Sequence, residues 1–245
     1  MLKYYFISDC HLGVGTDREE DRKREQRLLA VLDRIEAEAK QGLVGGLFLV
    51  GDLFDSWFDY RQVVPRRHIR TLAVFARIRD HAPVEYLMGN HDFGHRTFFK
   101  DELQIPVHGG DITRDLGGKR FYIAHGDGKA LNDTGYLILR KILRNKAALW
   151  LYSWLHPDIG IWLAERVSGG SRSYTDKRDA LQKQDGLLLF AEQKVQEGYD
   201  YVVMGHRHKP QIVSIGNGYY VNLGDWLQSY TYGVFNGEIF TIEYA

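Results

Sequence analysis

The feature that most constrains this chain is a series of five short polar motifs, each of which follows an apolar run rich in β-forming residues. In chain order the motifs are Asp9-Cys10-His11, Gly51-Asp52, Gly89-Asn90-His91-Asp92, His125-Gly126-Asp127 and Gly205-His206-Arg207-His208. A short apolar run that ends in glycine or a polar turn is typical of a buried strand and the loop after it. We therefore expect five strands to deliver these motifs to one edge of a sheet.

The motifs carry residue types that bind metals, although each motif alone is ambiguous. Asp52 stands at a strand end, where its carboxylate can reach two cations at once, as the bridging ligand of a two-metal phosphoryl-transfer site does. Asp9 and His11 alternate along an extended segment, so their side chains would face the same side. Taken singly, Asp9-Cys10-His11 is more often a turn aspartate beside a surface histidine, and Gly89-Asn90-His91-Asp92 is equally a polar turn.

Together the motifs offer seven nitrogen and oxygen donors, which are Asp9, His11, Asp52, Asn90, His125, His206 and His208. A set without cysteine suits two divalent ions such as Mn²⁺, Fe²⁺, Zn²⁺ or Co²⁺, and not a structural zinc knot. Two such ions about 3.5–4 Å apart would hold a phosphate for in-line attack. We also predict His91 and Asp92 as catalytic residues, because His91 can protonate a leaving oxygen if Asp92 fixes its tautomer.

Composition excludes several classes of protein. The 245 residues suffice for one large α/β domain with a substantial core. Lys+Arg and Asp+Glu both number 32, so we expect no nucleic-acid partner. The single cysteine excludes an intrachain disulfide, and the first residues lack the features of a signal peptide. These observations predict a cytoplasmic protein.

Hydrophobic periodicity predicts a mixed α/β fold. The spacing of apolar residues predicts helices over residues 17–40 and 65–79. The C-terminal part holds strand-like runs at residues 211–215, 219–223 and 238–244, separated by glycine turns. We therefore expect βαβ units combined with a β-rich second layer.

The segment between the fourth and fifth motifs differs from the rest of the chain. Residues 129–178 hold nine Lys and Arg against four acidic residues, and three of the five tryptophans. Two short helices, broken near Pro157 and Gly160, would form an apolar lid above the metals that can lie on anionic lipid. The alternative is an ordinary helical hairpin that buries its tryptophans on the core.

The order and spacing of the five motifs resemble those of the calcineurin-like metallophosphoesterases, which run D-x-H, G-D, G-N-H-[DE], H and G-H-x-H. The resemblance spans residues 9–208 and implies a four-layer α/β/β/α sandwich. It implies that one metal is bound by Asp9, His11, Asp52 and His208. It implies that the second is bound by Asp52, Asn90, His125 and His206. It also implies that His91 stabilises or protonates the leaving oxygen.

Within that family, the insertion resembles that of the UDP-2,3-diacylglucosamine diphosphatases of lipid A synthesis, and so do the stretches around Asp52 and His125. The resemblance implies hydrolysis of the pyrophosphate of UDP-2,3-diacylglucosamine to UMP and 2,3-diacylglucosamine 1-phosphate, with Mn²⁺ as the first choice of metal. Residues 1–245 would form one domain with a helical cap at 129–178, and the cap would touch the cytoplasmic face of the inner membrane. The implied substrate contacts are Asn90, His91, Asp133, Tyr136, Ser171, Arg178 and His206. This group carries Arg where the present chain has His91.

Two other functions are compatible with the same motifs. One is a phosphodiesterase or phosphatase that acts on a soluble nucleotide or another phosphoester. The other is a metal-binding scaffold without catalysis, against which the complete set of ligand motifs argues.

Overall fold

The computed structural model describes residues 1–15, 17–129, 141–142, 144–164, 166 and 186–245. Eleven strands lie within these ranges: β1 Lys3–Ile7, β2 Val44–Val50, β3 Val84–Leu87, β4 Val107–His108, β5 Ile112–Leu116, β6 Lys119–Ala124, β7 Tyr201–Met204, β8 Gln211–Ile215, β9 Gly218–Asn222, β10 Thr231–Phe235 and β11 Phe240–Tyr244. The helices are α1 Arg18–Lys40, α2 Ile69–Arg79, α3 Phe98–Asp101, α4 Lys146–Tyr152 and α5 Gly186–Gln196, with a further helical segment at residues 157–164.

The helices begin close to the predicted positions. Asp17 caps α1, since its carboxylate accepts hydrogen bonds from the backbone N–H groups of Glu19 and Glu20. The second predicted helix begins differently, because Pro65 precedes a 3₁₀ turn at Arg66–His68 and only then α2. Among the described helices, none combines the length and apolar character that a bilayer span requires.

The strands form two sheets, which corrects the expectation of a single sheet edge. One sheet has the order β11-β10-β1-β2-β3-β4, in which β1 to β4 run parallel to one another and β10 pairs antiparallel with β1 and β11. The other has the order β5-β6-β7-β9-β8, with β6, β7 and β9 parallel. The motif-bearing strands β1, β2 and β3 lie in the first sheet, and β6 and β7 lie in the second. The site is therefore assembled across two sheets.

Three apolar clusters define four layers. Helices α1 and α2 cover the outer face of the first sheet, and Leu32 of α1 and Phe75 of α2 belong to the apolar cluster between them. Phe6 packs against Phe121 at 5.8 Å between ring centroids, so the two sheets meet face to face. Leu187 of α5 packs on the outer face of the second sheet. The predicted α/β/β/α sandwich is confirmed, because each sheet buries one face on the other sheet and one on helices.

An ion-paired cluster joins the two sheets at the β3–β5 edge. Glu85 of β3 accepts hydrogen bonds from Arg114 of β5, with Nε at 2.8 Å, and from His108 of β4, with Nε2 at 2.8 Å. Burial alone would raise the pKa of Glu85, but these two partners lower it from 4.5 to about 2. A depressed carboxyl pKa stabilises the fold above the unfolded pKa, and this contribution is lost as the pH falls towards 2.

Glu85→Gln is expected to lower the free energy of unfolding by about 1 to 2 kcal/mol at pH 7, since Arg114 is partly exposed and the pair is partly screened. The difference in the free energy of unfolding between wild type and Glu85→Gln should shrink as the pH falls from 5 to 2. Urea denaturation across that range measures it. The control is Glu197→Gln, which removes a partly exposed pair with Lys194; an equal loss in both variants would contradict the role of Glu85.

Candidate metal centre

The five motifs lie in loops that follow the carboxyl ends of β1, β2, β3, β6 and β7, and backbone hydrogen bonds join these loops. The amide of Asp9 donates to the carbonyl of Gly51 at 3.1 Å, and that of His11 donates to Asp52 O at 2.9 Å. The amide of Gly205 donates to His125 O at 3.0 Å. Each link fixes one ligand-bearing loop against another, so the donors are held before any ion binds.

Most of the ligand residues adopt a left-handed backbone. Among the described residues, seven other than glycine have positive φ, and five of these are predicted ligands: Asp9 (52°), His11 (44°), Asp52 (53°), His206 (68°) and His208 (55°). Such angles cost free energy in non-glycine residues and concentrate at functional sites. Asp9 and His11 do come together, but through these left-handed turns after β1 and not through the alternation of an extended strand.

The first donor group comprises Asp9, His11 and His208. The Nε2 atoms of His11 and His208 face each other at 3.3 Å, and His208 Nε2 lies 3.3 Å from Asp9 Oδ1. Asp9 and His11 are fully buried. The three side chains therefore present two ring nitrogens and one carboxylate oxygen to a common point.

The second donor group comprises Asp52, His125 and His206, and Asn90 joins it. His125 Nε2 lies 3.1 Å from Asn90 Oδ1 and 3.3 Å from Asp52 Oδ2. The same Oδ2 atom lies 3.9 Å from His11 Nε2 of the first group. Asp52 thus stands between the two groups, as a bridging ligand must, and its Oδ1 accepts a 2.8 Å hydrogen bond from the His91 amide.

These groups fit two divalent ions. Donors bound at about 2.1 Å to a tetrahedral or octahedral ion stand about 3.0 to 3.4 Å from one another. The nitrogen and oxygen atoms of His125, His208 and their neighbours lie 3.1 to 3.3 Å apart. Burial would raise the pKa of Asp52, but neighbouring histidines, His125 foremost, hold it well below its ordinary value. The site therefore stabilises the ionised form of Asp52, which is the form that binds a cation.

The outward nitrogens of three histidine ligands face acceptors. His125 Nδ1 lies 2.9 Å from the carbonyl oxygen of Val50, His11 Nδ1 lies 3.5 Å from Asp55 Oδ1, and His208 Nδ1 lies 3.6 Å from Asp225 Oδ2. A proton held on Nδ1 leaves the lone pair of Nε2 for the metal. This arrangement orients the rings and favours the tautomer that binds a cation.

Asp225 is a residue of the site that lies outside the five motifs. Its carboxylate also accepts 2.9 Å hydrogen bonds from the amides of Gln228 and Ser229, so it is held firmly beside His208. The sequence signal is the glycine-led stretch Gly224-Asp225-Trp226, which follows an apolar run as the five motifs do. Asp225 faces the ring of His208 and is not a member of either donor group. An aspartate in this supporting position cannot be recognised from its residue type alone.

Asp92 has a different role from the one expected. Its buried carboxylate accepts hydrogen bonds from the amides of Gly89 at 2.8 Å and Leu53 at 2.9 Å, and from the hydroxyl of Tyr86. Burial, and then the charge of Asp52, raises the pKa of Asp92 to about 6. Asp92 therefore holds the loops after β2 and β3 in place.

The carboxylate that faces the His91 ring is Asp55, which corrects the expectation that Asp92 fixes the tautomer. Asp55 Oδ1 lies 3.9 Å from His91 Nδ1, and the His91 side chain is only 7% exposed. His91 also lies beside His11, with 5.0 Å between ring centroids. Asp55 therefore lies on the Nδ1 side of the His91 ring, and His91 shares a donor group with His11 and Asp52.

Gly89 allows the closest approach in the site. A Cβ atom at this position would collide with Oδ1 and the backbone nitrogen of Asp52. Gly51, with φ at 83°, lies against it, since a Cβ there would be 2.9 Å from Gly89 Cα and 2.6 Å from His125 Nδ1. Both glycines are needed because three ligand loops converge here.

The predicted substrate contacts fall in two groups. Asn90, His91 and His206 lie in the metal centre, as described. The other four lie outside the described residues: Asp133, Tyr136, Ser171 and Arg178.

Comparison with known proteins agrees with this geometry. The calcineurin-like phosphoesterase family model matches residues 2–210. A UDP-2,3-diacylglucosamine hydrolase of Porphyromonas gingivalis is 33% identical over 259 residues, covering 98% of this chain and 97% of that protein. One of Haemophilus ducreyi is 27% identical, covering 92% of each. The structure of a novel archaeal phosphodiesterase has a TM-score of 0.50 at 15% identity, covering 99% of each chain, which supports the fold. The chain therefore belongs to the calcineurin-like phosphoesterase family and is a metal-dependent hydrolase.

Proposed function

We propose that this hydrolase cleaves the pyrophosphate of UDP-2,3-diacylglucosamine to give UMP and 2,3-diacylglucosamine 1-phosphate. The proposal rests on a 33% identical relative of that name, which aligns over nearly the full length of both chains. A diacylated nucleotide sugar requires a phosphoryl site and an apolar surface beside it. The donor groups would form the phosphoryl site, and the insertion would supply the apolar surface.

The described part of the insertion carries an exposed apolar surface. Helix α4 and the segment 157–164 expose large apolar side chains, which are Trp150 (53%), Leu151 (63%), Trp154 (68%), Ile159 (55%) and Trp162 (51%). The alternative in which these tryptophans are buried on the core is therefore wrong. The helix break falls at residues 153–156, directly before Pro157 as predicted, but Gly160 lies within the second helical segment and not at a break. Exposed apolar area of this extent marks an interaction site.

Helix α4 packs against the loop that follows Asp52. Tyr152 of α4 packs on Phe58, with 4.6 Å between ring centroids, and its hydroxyl donates to the carbonyl of Gly160. Phe58 lies in the loop that follows Asp52. We propose that residues 129–178 form a cap within a single domain of residues 1–245, and that the exposed face takes the acyl chains and rests on the cytoplasmic face of the inner membrane.

Metal binding and proton donation are assigned to different residues. Asp9, Asp52, Asn90 and the histidine ligands would bind two divalent ions, with Mn²⁺ proposed as the native metal. When bound, the ions supply positive charge at the phosphoryl group and a nucleophile at neutral pH. The pyrophosphate would bind against this donor set. His91 holds a proton at Nε2 and gives it to the leaving phosphate oxygen, while Asp55 keeps the ring oriented.

The double variant Trp150→Ala/Trp154→Ala is expected to raise the KM for UDP-2,3-diacylglucosamine about tenfold or more, since the two rings pack at 5.8 Å and offer a continuous apolar contact. Hydrolysis of bis(p-nitrophenyl) phosphate with Mn²⁺ should be unchanged. Ile239→Ala, at an exposed apolar residue before β11, is the control. Faster turnover by wild type of a lipid-free nucleotide sugar than of the diacylated substrate would instead favour a soluble-nucleotide phosphoesterase.

A further inference from the structure

Arg144 of the insertion folds back onto the body of the protein. It directly precedes Asn145, whose side chain caps α4 by accepting from the amides of Ala147 and Ala148. The Arg144 side chain is 18% exposed, in contrast to the exposed apolar face of the helix that follows. An arginine that lies largely inside the fold keeps its guanidinium there only where it finds acceptors.

The guanidinium contacts the ends of three strands. Nη2 donates to the carbonyl of Gly89 at 2.7 Å, after β3, and Nη1 donates to that of Gly109 at 3.4 Å, after β4. Nη2 also lies 3.7 Å from Asp127 Oδ2, after β6. Since β3 and β4 belong to one sheet and β6 to the other, a single side chain joins both sheets at the edge that holds the metal centre.

Two of these contacts flank metal ligands. Gly89 directly precedes Asn90, and Asp127 follows His125 by two residues. Asn90 Oδ1 and His125 Nε2 are the 3.1 Å pair of the second donor group. Gly89 cannot move freely, because it lies in contact with Asp52. Arg144 is therefore connected to Asn90 through the backbone of Gly89, and to His125 through Asp127.

The Nε atom of Arg144 adds a second observation. It is buried and has no hydrogen-bond partner among the described residues. A buried donor without an acceptor lowers stability, so the other contacts of the guanidinium must outweigh that loss. The side chain thus keeps its contacts with the strand ends although Nε is left without a hydrogen bond. This is expected of a residue that holds a site in place.

We propose that Arg144 is a positioning residue for the Asn90–His125 half of the metal centre, and that it couples the seating of the insertion to the binding of a cation there. Because coupling is reciprocal, a cation bound by Asn90 and His125 also stabilises the insertion. The proposal depends on the fit of the ligands to divalent ions and not on the identity of the natural substrate.

Titration of metal-free protein with Mn²⁺ tests whether Arg144 positions Asn90 and His125 for cation binding. In Arg144→Gln, the binding event that Asn90→Ala removes should weaken about tenfold or more, while the other event stays within twofold of wild type. Arg144→Lys should fold with the same charge yet bind more weakly than wild type, since an ammonium cannot span two carbonyls. The control is Arg79→Gln, which removes the 2.9 Å bond from Arg79 Nε to the carbonyl of Gln104. Wild-type affinity for both ions in both Arg144 variants would overturn the proposal.

Hydrogen exchange tests the coupling without any turnover. Saturating Mn²⁺ should slow amide exchange at residues 144–152 in wild type and Arg79→Gln, and should not do so in Arg144→Gln. Hydrolysis of bis(p-nitrophenyl) phosphate completes the test, because saturating Mn²⁺ should restore the kcat of Arg144→Gln. A kcat that stays low with both ions bound would assign Arg144 to substrate binding and contradict the positioning role.

Discussion

Asp52→Ala is expected to lower hydrolysis of bis(p-nitrophenyl) phosphate by about 10³- to 10⁴-fold, because loss of a bridging ligand removes several kcal/mol of transition-state stabilisation. Its Oδ2 atom lies 3.3 Å from His125 Nε2 and 3.9 Å from His11 Nε2, so one carboxylate oxygen stands close to ring nitrogens of both donor groups. The bound metal, measured by mass spectrometry after exchange into dilute Mn²⁺, should fall by at least one ion per chain.

The matched control for this variant is Asp33→Ala, a carboxylate that is 63% exposed and lies 3.6 Å from Arg77 on the surface. It should retain both ions and wild-type turnover. Retention of two ions by Asp52→Ala would contradict the bridging role, even if turnover fell.

The second large effect is expected at His91. His91→Asn should lower kcat by about 10²- to 10⁴-fold, the usual contribution of a general acid, while the protein still binds two ions. Asp55→Asn should give a smaller loss, because Asp55 acts through the rings that it faces, His91 at 3.9 Å and His11 at 3.5 Å. Steady-state kinetics combined with the metal content of each variant measures both effects.

His81→Asn serves as the control, since His81 is exposed at the end of α2 and lies outside the donor groups. The metal content decides between two roles for His91, which also lies close to His11 and Asp52. Loss of an ion from His91→Asn would make His91 a ligand and would contradict its role as the acid.

The candidate ligands could be picked out from the sequence because each one lies within four residues of the end of a buried strand. A strand end fixes where a side chain emerges, and the residue type then indicates the chemistry. The sequence did not indicate that the strands belong to two sheets, since an apolar run has the same pattern in either sheet. Strand β10, Thr231–Phe235, was missed because all five of its residues are buried and show no alternation, and Gly233 interrupts it.

Contacts between distant residues were the part that the sequence did not reveal. Asp92 stands next to His91 in the chain, yet its carboxylate points to the amides of Gly89 and Leu53. Asp55, 36 positions before His91, faces the ring instead. Adjacent side chains in a tight turn point in different directions, so adjacency in sequence is a poor guide to hydrogen-bond partners.

The central claim is that seven nitrogen and oxygen donors bind two divalent ions. A crystal of the protein grown with Mn²⁺, measured at the manganese absorption edge, tests it most directly. We predict two anomalous peaks about 3.5–4 Å apart, one bounded by Asp9, His11 and His208, the other by Asn90, His125 and His206, with Asp52 touching both. A single peak, or two peaks away from these side chains, would contradict the claim.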